Sequence, residues 1–148
     1  MKRAMKIDDD FIPCPEANGD ELFPNGIFVF NITKMIEYIQ KNSDDIVLEE
    51  VAVDDFPNEF SSINEEHLDS VDISEPVILA EISPGQYNLI DGNHRMEKAR
   101  RLGINRIRAY KLNAERHIRF LITRKSYEIY IDYWNGKLEE LKKFGVRI

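Results

Sequence analysis

The sequence predicts a single α+β domain, in which helices pack on a small mixed sheet. Short β-branched and aromatic runs, such as those at 27–30 and 76–82, are separated by segments with helical spacing of apolar residues. The 148 residues, 43% hydrophobic and 32% charged, suffice for one domain with a buried core. A strand and helix are expected before the main sheet, and a helical extension after it.

The first half of the chain is predicted to begin with a segment that has no regular secondary structure. Residues 1–22 are rich in Asp, Pro, Asn and Gly without periodicity, whereas residues 23–148 are predicted to form the domain. A strand at 27–30 leads into a helix that Thr33 caps and that ends at Lys41. Strand segments at 46–48 and 51–53 follow, and one short helix is expected within 61–68.

In the second half of the chain, turns and helix ends separate the predicted elements more clearly. Strands at 76–82 and 87–90 flank a turn, and a helix over 92–102 ends before Gly103, a residue suited to the left-handed end of a helix. A strand at 107–112 precedes a helix that Asn113 caps and that runs to about 122. The tail, about 126–144, is predicted to be helical despite Gly136, because four apolar residues recur at helical spacing: Ile131, Trp134, Leu138 and Leu141.

Charge is unevenly distributed in a chain whose net charge is −7. Between Lys41 and Arg95 there are fourteen acidic residues and no Lys or Arg. From Arg95 to Lys125, by contrast, there are eleven basic residues and only two acidic ones. The basic half suits the phosphates of a nucleotide or nucleic acid, or it neutralises the acidic half within the fold or across a homodimer. Because an acidic chain is repelled by DNA, a small phosphate ligand is favoured over DNA.

Membrane and secretion signals are not found. No apolar run reaches the length of a membrane span, so the sequence predicts a cytoplasmic protein without a membrane partner. Cys14, the single cysteine, is expected to be an inert loop residue, and His67 and His117 are expected at the surface. The aromatic residues of the tail, Tyr127, Tyr130, Tyr133 and Trp134, are expected in the core or at a dimer contact.

The main functional indication is the turn Asp91-Gly92, which joins a predicted strand to a helix beginning Asn93-His94-Arg95. The free N–H groups of a helix's first turn bind anions, glycine permits close approach, and imidazole and guanidinium groups add donors. The turn therefore predicts a phosphate site. A purely structural role stays the alternative, with His94 at the helix start and Arg95 paired with an acid from 44–75. Asp91 and His94 alone do not make a metal site, so Mg²⁺ is expected only with bound phosphates.

These residues and their neighbours resemble the ParB/sulfiredoxin superfamily over about 46–122. The matching features are the Glu75-Pro76-Val77-Ile78 strand, the Asp91-Gly92-Asn93-His94-Arg95 turn, the helix ending near Leu102-Gly103, and the strand at 107–112. Members of that superfamily hold nucleotide phosphates at this helix start. The resemblance implies that Gly92, Asn93, His94 and Arg95 bind ATP, ADP or CTP with Mg²⁺. It also implies catalytic roles for Asp91, like the strand-end acid of ADP-dependent serine kinases, and for His94.

At several positions this chain differs from the sequence patterns of the superfamily, and some of the superfamily's activities are therefore not expected. Asn93 occupies the position of the reacting cysteine of sulfiredoxin, so sulfinic acid reduction is not expected. Partition proteins show Gly-Glu-Arg-Arg with a further Arg two residues on, where this chain has Glu97, so chromosome partition is not expected either. The general base of the serine kinases has no clear counterpart, and the candidates are Glu49, Glu50, Asp54 and Asp55.

The sequence thus favours a nucleotide-dependent enzyme that hydrolyses a nucleotide or transfers its phosphoryl group to a small-molecule acceptor. Two alternatives stay open. One is a non-catalytic module that senses a nucleotide or binds DNA. The other is a metal-dependent nuclease whose carboxylates come from Asp91 and the acidic half.

Overall fold

The structure, a computed structural model, describes residues 2–26, 28–57 and 63–145 and confirms the α+β class. The strands are β1 Leu22–Asn25, β2 Phe28–Asn31, β3 Val47–Ala52, β4 Val77–Ser83, β5 Gln86–Asp91 and β6 Arg106–Leu112. The helices are α1 Ile32–Lys41, α2 Glu65–Leu68, α3 Asn93–Arg101, α4 Ala114–His117 and α5 Arg124–Lys143. Single 3₁₀ turns lie at Ser43–Asp45, Val53–Asp55 and Ile118–Phe120.

The main sheet is mixed, as predicted. Its strand order is β3-β6-β4-β5, with β4 and β6 parallel and the other two pairs antiparallel. The chain leaves the β4–β5 hairpin through α3 and returns as β6 beside β4. The end of β5 and the start of α3 therefore lie at one edge of this sheet. Strands β1 and β2 form a separate two-stranded sheet.

Strand β4 separates two hydrophobic cores because its side chains alternate between the two faces of the sheet. Val77 and Leu79 pack with Met96 and Ala99 of α3. Ile78 and Ala80 belong to the larger core, which also contains buried residues of α1, α5 and the β1–β2 hairpin. The packing of α3 on one face fixes the position of its first turn beside the start of β4.

Several boundaries differ from the sequence prediction. Thr33 does not cap α1; the Oδ1 atom of Asn31 accepts the Lys34 N–H at 3.0 Å instead, so the helix begins directly after β2. The Thr33 hydroxyl oxygen accepts the N–H of Glu21 at 2.8 Å. Strand β1 was not predicted, and Ile27, assigned to the second strand, lies outside the described residues.

Other elements are merged or shortened. The segments at 46–48 and 51–53 form the single strand β3, and the short helix predicted within 61–68 begins only at Glu65, with 61 and 62 outside the described residues. The helix predicted after Asn113 stops at His117 and continues as a 3₁₀ turn, because Leu121 then bridges to Phe30 in extended conformation. The helical tail is confirmed, with Gly136 inside α5.

The segment before β1 contains no helix or strand from 2 to 21, yet it packs closely on α5. Met5 and Asn135 exchange two hydrogen bonds of 2.8 Å, and the Phe11 ring stacks on Tyr127 with 3.8 Å between centroids. The segment is therefore part of the packed structure. Among the described helices, none is long and apolar enough to cross a membrane.

His117 is completely buried, so its predicted surface position is wrong. Its Nε2 atom lies 2.5 Å from the carbonyl oxygen of Glu81, which also accepts the Tyr130 hydroxyl at 2.7 Å. Burial lowers the pKa of His117 to about 4, because the charged imidazolium would lose its hydration. His67 is exposed, as predicted. In the aromatic cluster of the tail, Tyr127, Tyr130 and Trp134 are buried in the larger core, whereas Tyr133 is 39% exposed.

Candidate functional site

Gly92 connects β5 to α3 in a conformation that other residues rarely adopt. Its φ is +105°, and a Cβ atom placed on it would lie 2.5 Å from Cγ1 of Val77. The backbone at the helix start therefore approaches β4 more closely than any side chain would allow. The glycine is thus required by the packing of this turn against Val77, whereas the sequence predicted that it admits a phosphate.

The first turn of α3 has free backbone donors. No side chain caps this helix, and its first intrahelical bond is from the Met96 N–H to the Gly92 carbonyl oxygen at 2.9 Å. The N–H groups of Asn93, His94 and Arg95 consequently have no intrahelical acceptor. They present partial positive charge at the positive end of the helix dipole, a favourable environment for an anion.

The free helix start opens into a cleft of about 970 Å³. The five residues of the predicted motif, Asp91 to Arg95, all line it. The lining also includes Phe23 and Asn25 from the β1–β2 hairpin, together with Phe56 and His67. The structure thus gathers the predicted site residues in one concave surface with apolar and polar parts.

Arg95 is only 16% exposed and already has protein partners. Its Nη2 atom donates to Oδ2 of Asp91 at 2.9 Å, and Nη1 donates to the carbonyl oxygen of Pro76 at 2.8 Å. The Glu75 carboxylate lies 3.9 Å away and is mostly exposed. Arg95 therefore connects α3 to the end of β5 and to the start of β4. This is a structural role, as in the alternative prediction, but the principal acidic partner is Asp91 and, of the acids in 44–75, Glu75 contacts Arg95 only at 3.9 Å.

His94 is held by the segment that contains α2. Its Nε2 atom accepts the backbone N–H of Asn64 at 3.1 Å, and its ring meets that of His67 edge-on, with 4.8 Å between centroids. An acceptor at Nε2 places the proton of a neutral imidazole on Nδ1. Nδ1 is then the ring atom of His94 that remains available as a donor.

Glu21 is a functional candidate that the sequence analysis missed. It lines the cleft directly before β1. Glu21 is an exposed residue, but partial burial of its carboxyl raises the pKa, the nearby charge of Asp91 raises it further, and Arg95 opposes the increase. No local pattern marks Glu21, because it belongs to a segment without periodicity and reaches Asp91 only through the tertiary fold.

The four candidates for a general base are placed differently. Glu49 and Glu50 lie on β3, the strand at the opposite edge of the sheet from β5, and pair with Lys111 at 3.0 Å and Arg106 at 3.7 Å. Asp55 lines the cleft, whereas Asp54 is not part of its lining. Within the described ranges, no three His, Cys, Asp or Glu side chains are grouped so that they could hold a metal ion.

Comparisons with known proteins give a distant structural likeness. The chain matches no protein-family description and no curated protein. Among solved structures, it is similar to the C-terminally truncated chromosome-partitioning protein ParB from Caulobacter crescentus, complexed with CTP-γ-S. The identity is 18% and the TM-score 0.37, over 65% of this chain and 53% of the ParB chain. The protein thus spans about half the length of that chain, and the likeness is one of fold at most.

Proposed function

We propose that the protein binds a nucleotide whose phosphates lie against the first turn of α3. The observation that carries this proposal is the uncapped helix start behind Gly92, because its free N–H groups face a cleft rather than another part of the chain. The motif Asp91-Gly92-Asn93-His94-Arg95, which resembles that of the ParB/sulfiredoxin superfamily, supports the same assignment.

The cleft also suits the rest of a nucleotide. Its volume of about 970 Å³ lies within the range that small-molecule ligands occupy. Phe23, Phe56 and Tyr87 contribute aromatic lining, which a nucleobase can stack against. In this arrangement the Nδ1 atom of His94 and the N–H groups of Arg95 that are not engaged by Asp91 or Pro76 add donors for phosphate oxygens.

Titration calorimetry with ATP, ADP and CTP, each with and without Mg²⁺, tests the proposal. We expect saturable binding of at least one nucleotide. The variant His94→Gln should bind about tenfold more weakly, the effect of losing one hydrogen bond to a charged group. Arg106→Ala, which removes an exposed charge on β6 outside the lining of the cleft, is the matched control and should bind normally. Absence of binding for all three nucleotides would overturn the proposal.

A catalytic role is the second candidate, and the placement of Glu21 beside Asp91 favours it. A carboxylate whose pKa is raised is a better proton acceptor at neutral pH than an ordinary one. In such a reaction, the oxygen of an acceptor hydroxyl or of water would bond to the terminal phosphorus and give its proton to Glu21. The bond from that phosphorus to the leaving nucleotide would break, and Asp91 would orient the acceptor. Mg²⁺ would enter with the phosphates.

Glu21→Gln and Asp91→Asn distinguish catalysis from binding. If the protein transfers phosphoryl groups, both variants should lose turnover at least about a hundredfold, the lower end for general acid–base catalysis, while nucleotide affinity stays near normal. Glu49→Gln, on the far strand β3, should retain full turnover. Unchanged turnover would remove the substituted residue from the mechanism, and a wild-type protein that turns over no nucleotide would be a binding module.

A further inference from the structure

His67 is brought into the cleft although it lies 27 residues before His94 in the chain. It is exposed, and its ring meets the His94 ring edge-on at a centroid distance of 4.8 Å and an interplanar angle of 86°. Two imidazoles therefore stand side by side next to the free N–H groups of α3. The proposed function accounts for His94 and leaves His67 without a role.

The ring nitrogens of His67 are not both occupied. The Ser70 hydroxyl donates to the His67 carbonyl oxygen at 2.9 Å and its oxygen lies 3.4 Å from Nδ1, so Nδ1 is the donor in that second contact. Nε2 has no hydrogen-bond partner among the described residues, and it donates to an external group when the ring carries both protons. In His94 the situation is reversed, since Nε2 is engaged by Asn64 and Nδ1 is the atom left for a ligand. The two rings thus each retain one nitrogen for an external group.

Side chains of α3 hold the segment that carries His67. Arg101 forms a two-pronged ion pair with Glu65, in which Nη2 donates to Oε1 at 2.8 Å. Lys98 donates to the carbonyl oxygens of Asp69 at 3.2 Å and Val71 at 2.9 Å. Because these contacts flank His67 on both sides, they fix its backbone relative to the first turn of the same helix.

We infer that His67 is a second phosphate-binding residue and that the site is built for a diphosphate or longer chain rather than for a single phosphate. This inference rests on the proposed function. One phosphate takes the N–H groups of α3 together with His94, and the next takes His67. The additional donor, the His67 ring, lies beyond the helix start. A single phosphate held by the first turn would not use it.

The experiment uses inorganic phosphate and pyrophosphate as probes, so that no base or sugar contributes. In His67→Gln, we expect pyrophosphate affinity to fall about tenfold and orthophosphate affinity to stay within about twofold of the wild type. Glu66→Gln is the matched control, since Glu66 is exposed on the same helix. Its affinity for both probes should equal that of the wild type.

Imidazole Cε1–H signals give a second measurement. Pyrophosphate should shift the signals of His67 and His94 and leave that of the buried His117 unchanged. A shift of His94 alone, or equal pyrophosphate affinity in wild type and His67→Gln, would overturn the role of His67 and leave nucleotide binding standing. A wild-type protein that binds neither pyrophosphate nor any nucleotide would overturn both.

Discussion

Arg95 and Asp91 form an ion pair across the strand–helix junction, with 2.9 Å between Nη2 and Oδ2. Both side chains are largely buried, at 16% and 17% exposure, so the pair is less screened than one at the surface. Arg95 also donates to the Pro76 carbonyl oxygen. One side chain therefore joins β4, β5 and α3 and also lines the cleft.

Replacement of Arg95 by Ala should reduce both ligand affinity and stability. We expect a loss of at least ~1.5 kcal/mol of nucleotide binding, the low end for a charge-assisted hydrogen bond. The free energy of unfolding should fall by about 1–3 kcal/mol, because Asp91 and Pro76 lose a buried partner. Calorimetry and urea unfolding measure the two effects. In the control Arg106→Ala, whose side chain is 56% exposed, stability should change by no more than about 0.5 kcal/mol. Equal affinity in wild type and Arg95→Ala would exclude Arg95 from the ligand site.

Gly92→Ala should be strongly destabilising for two reasons. The positive φ costs about 1–2 kcal/mol in any residue with a Cβ atom, and contact with Val77 adds about 1–3 kcal/mol of overpacking. Gly103→Ala is the matched control, since Gly103 has a φ of +72° but open space around its Cβ position. Gly103→Ala should therefore be destabilised only by the cost of the positive φ. Thermal unfolding of the two variants compares them, and equal destabilisation would show that close approach to Val77 does not matter.

His117 makes stability depend on pH. Its pKa is lowered to about 4 in the folded protein against an ordinary value of 6.5, so the unfolded chain takes up a proton at a higher pH than the folded one. The stabilisation is complete above about pH 6.5 and is lost as the pH falls toward 4, by at most about 1.4 kcal/mol per pH unit. Unfolding free energies measured between pH 7.5 and 4 should show this decline. The variant His117→Gln should be less stable at pH 7.5 but should show a shallower decline.

The strand–glycine–helix turn at Gly92 was predictable because its signal is local. A strand, a glycine and a helix start follow one another within a few residues, and the positive φ of Gly92 is what such a turn requires. The Gly103 helix end was predictable for the same reason: its N–H bonds to Arg100 and that of Ile104 bonds to Ala99, the arrangement typical of a left-handed helix end.

Residues that reach the site through the tertiary fold were not predictable. Glu21 lies 70 residues before Asp91, and His67 depends on the contacts of Lys98 and Arg101 with its segment. His117 was misassigned because a short helix with polar neighbours gives no sign of which face is buried. Asn31 and Thr33 are both residue types that favour the N-cap position of a helix. Asn31 occupies this position because β2 ends there and the helix begins at the next residue.

The basic half of the chain is largely engaged with the rest of the protein. Arg106 pairs with Glu50 and Lys111 with Glu49, while Arg108 donates to the Ser74 carbonyl oxygen at 2.6 Å. Two further cations lie against one tyrosine: Arg116 donates to the Tyr38 hydroxyl at 2.7 Å, and the Arg119 guanidinium lies 4.8 Å from the Tyr38 ring centroid. The ion pairs of Arg106 and Lys111 correspond to neutralisation of the basic half by the acidic half, whereas Arg108 is held by an uncharged backbone carbonyl.

Duplex DNA should therefore not be the main ligand. Non-specific DNA binding needs several Lys or Arg side chains that are free to displace counterions, and the net charge of −7 opposes it further. Fluorescence anisotropy with a labelled duplex at near-physiological salt should show no binding at micromolar protein. The double variant Glu49→Gln/Glu50→Gln, which releases Lys111 and Arg106, should bind more tightly than the wild type if pairing is what masks these cations. Micromolar binding by the wild type that weakens in Arg106→Ala/Arg108→Ala would contradict the prediction, because it would show that these arginines are available to phosphates despite their partners.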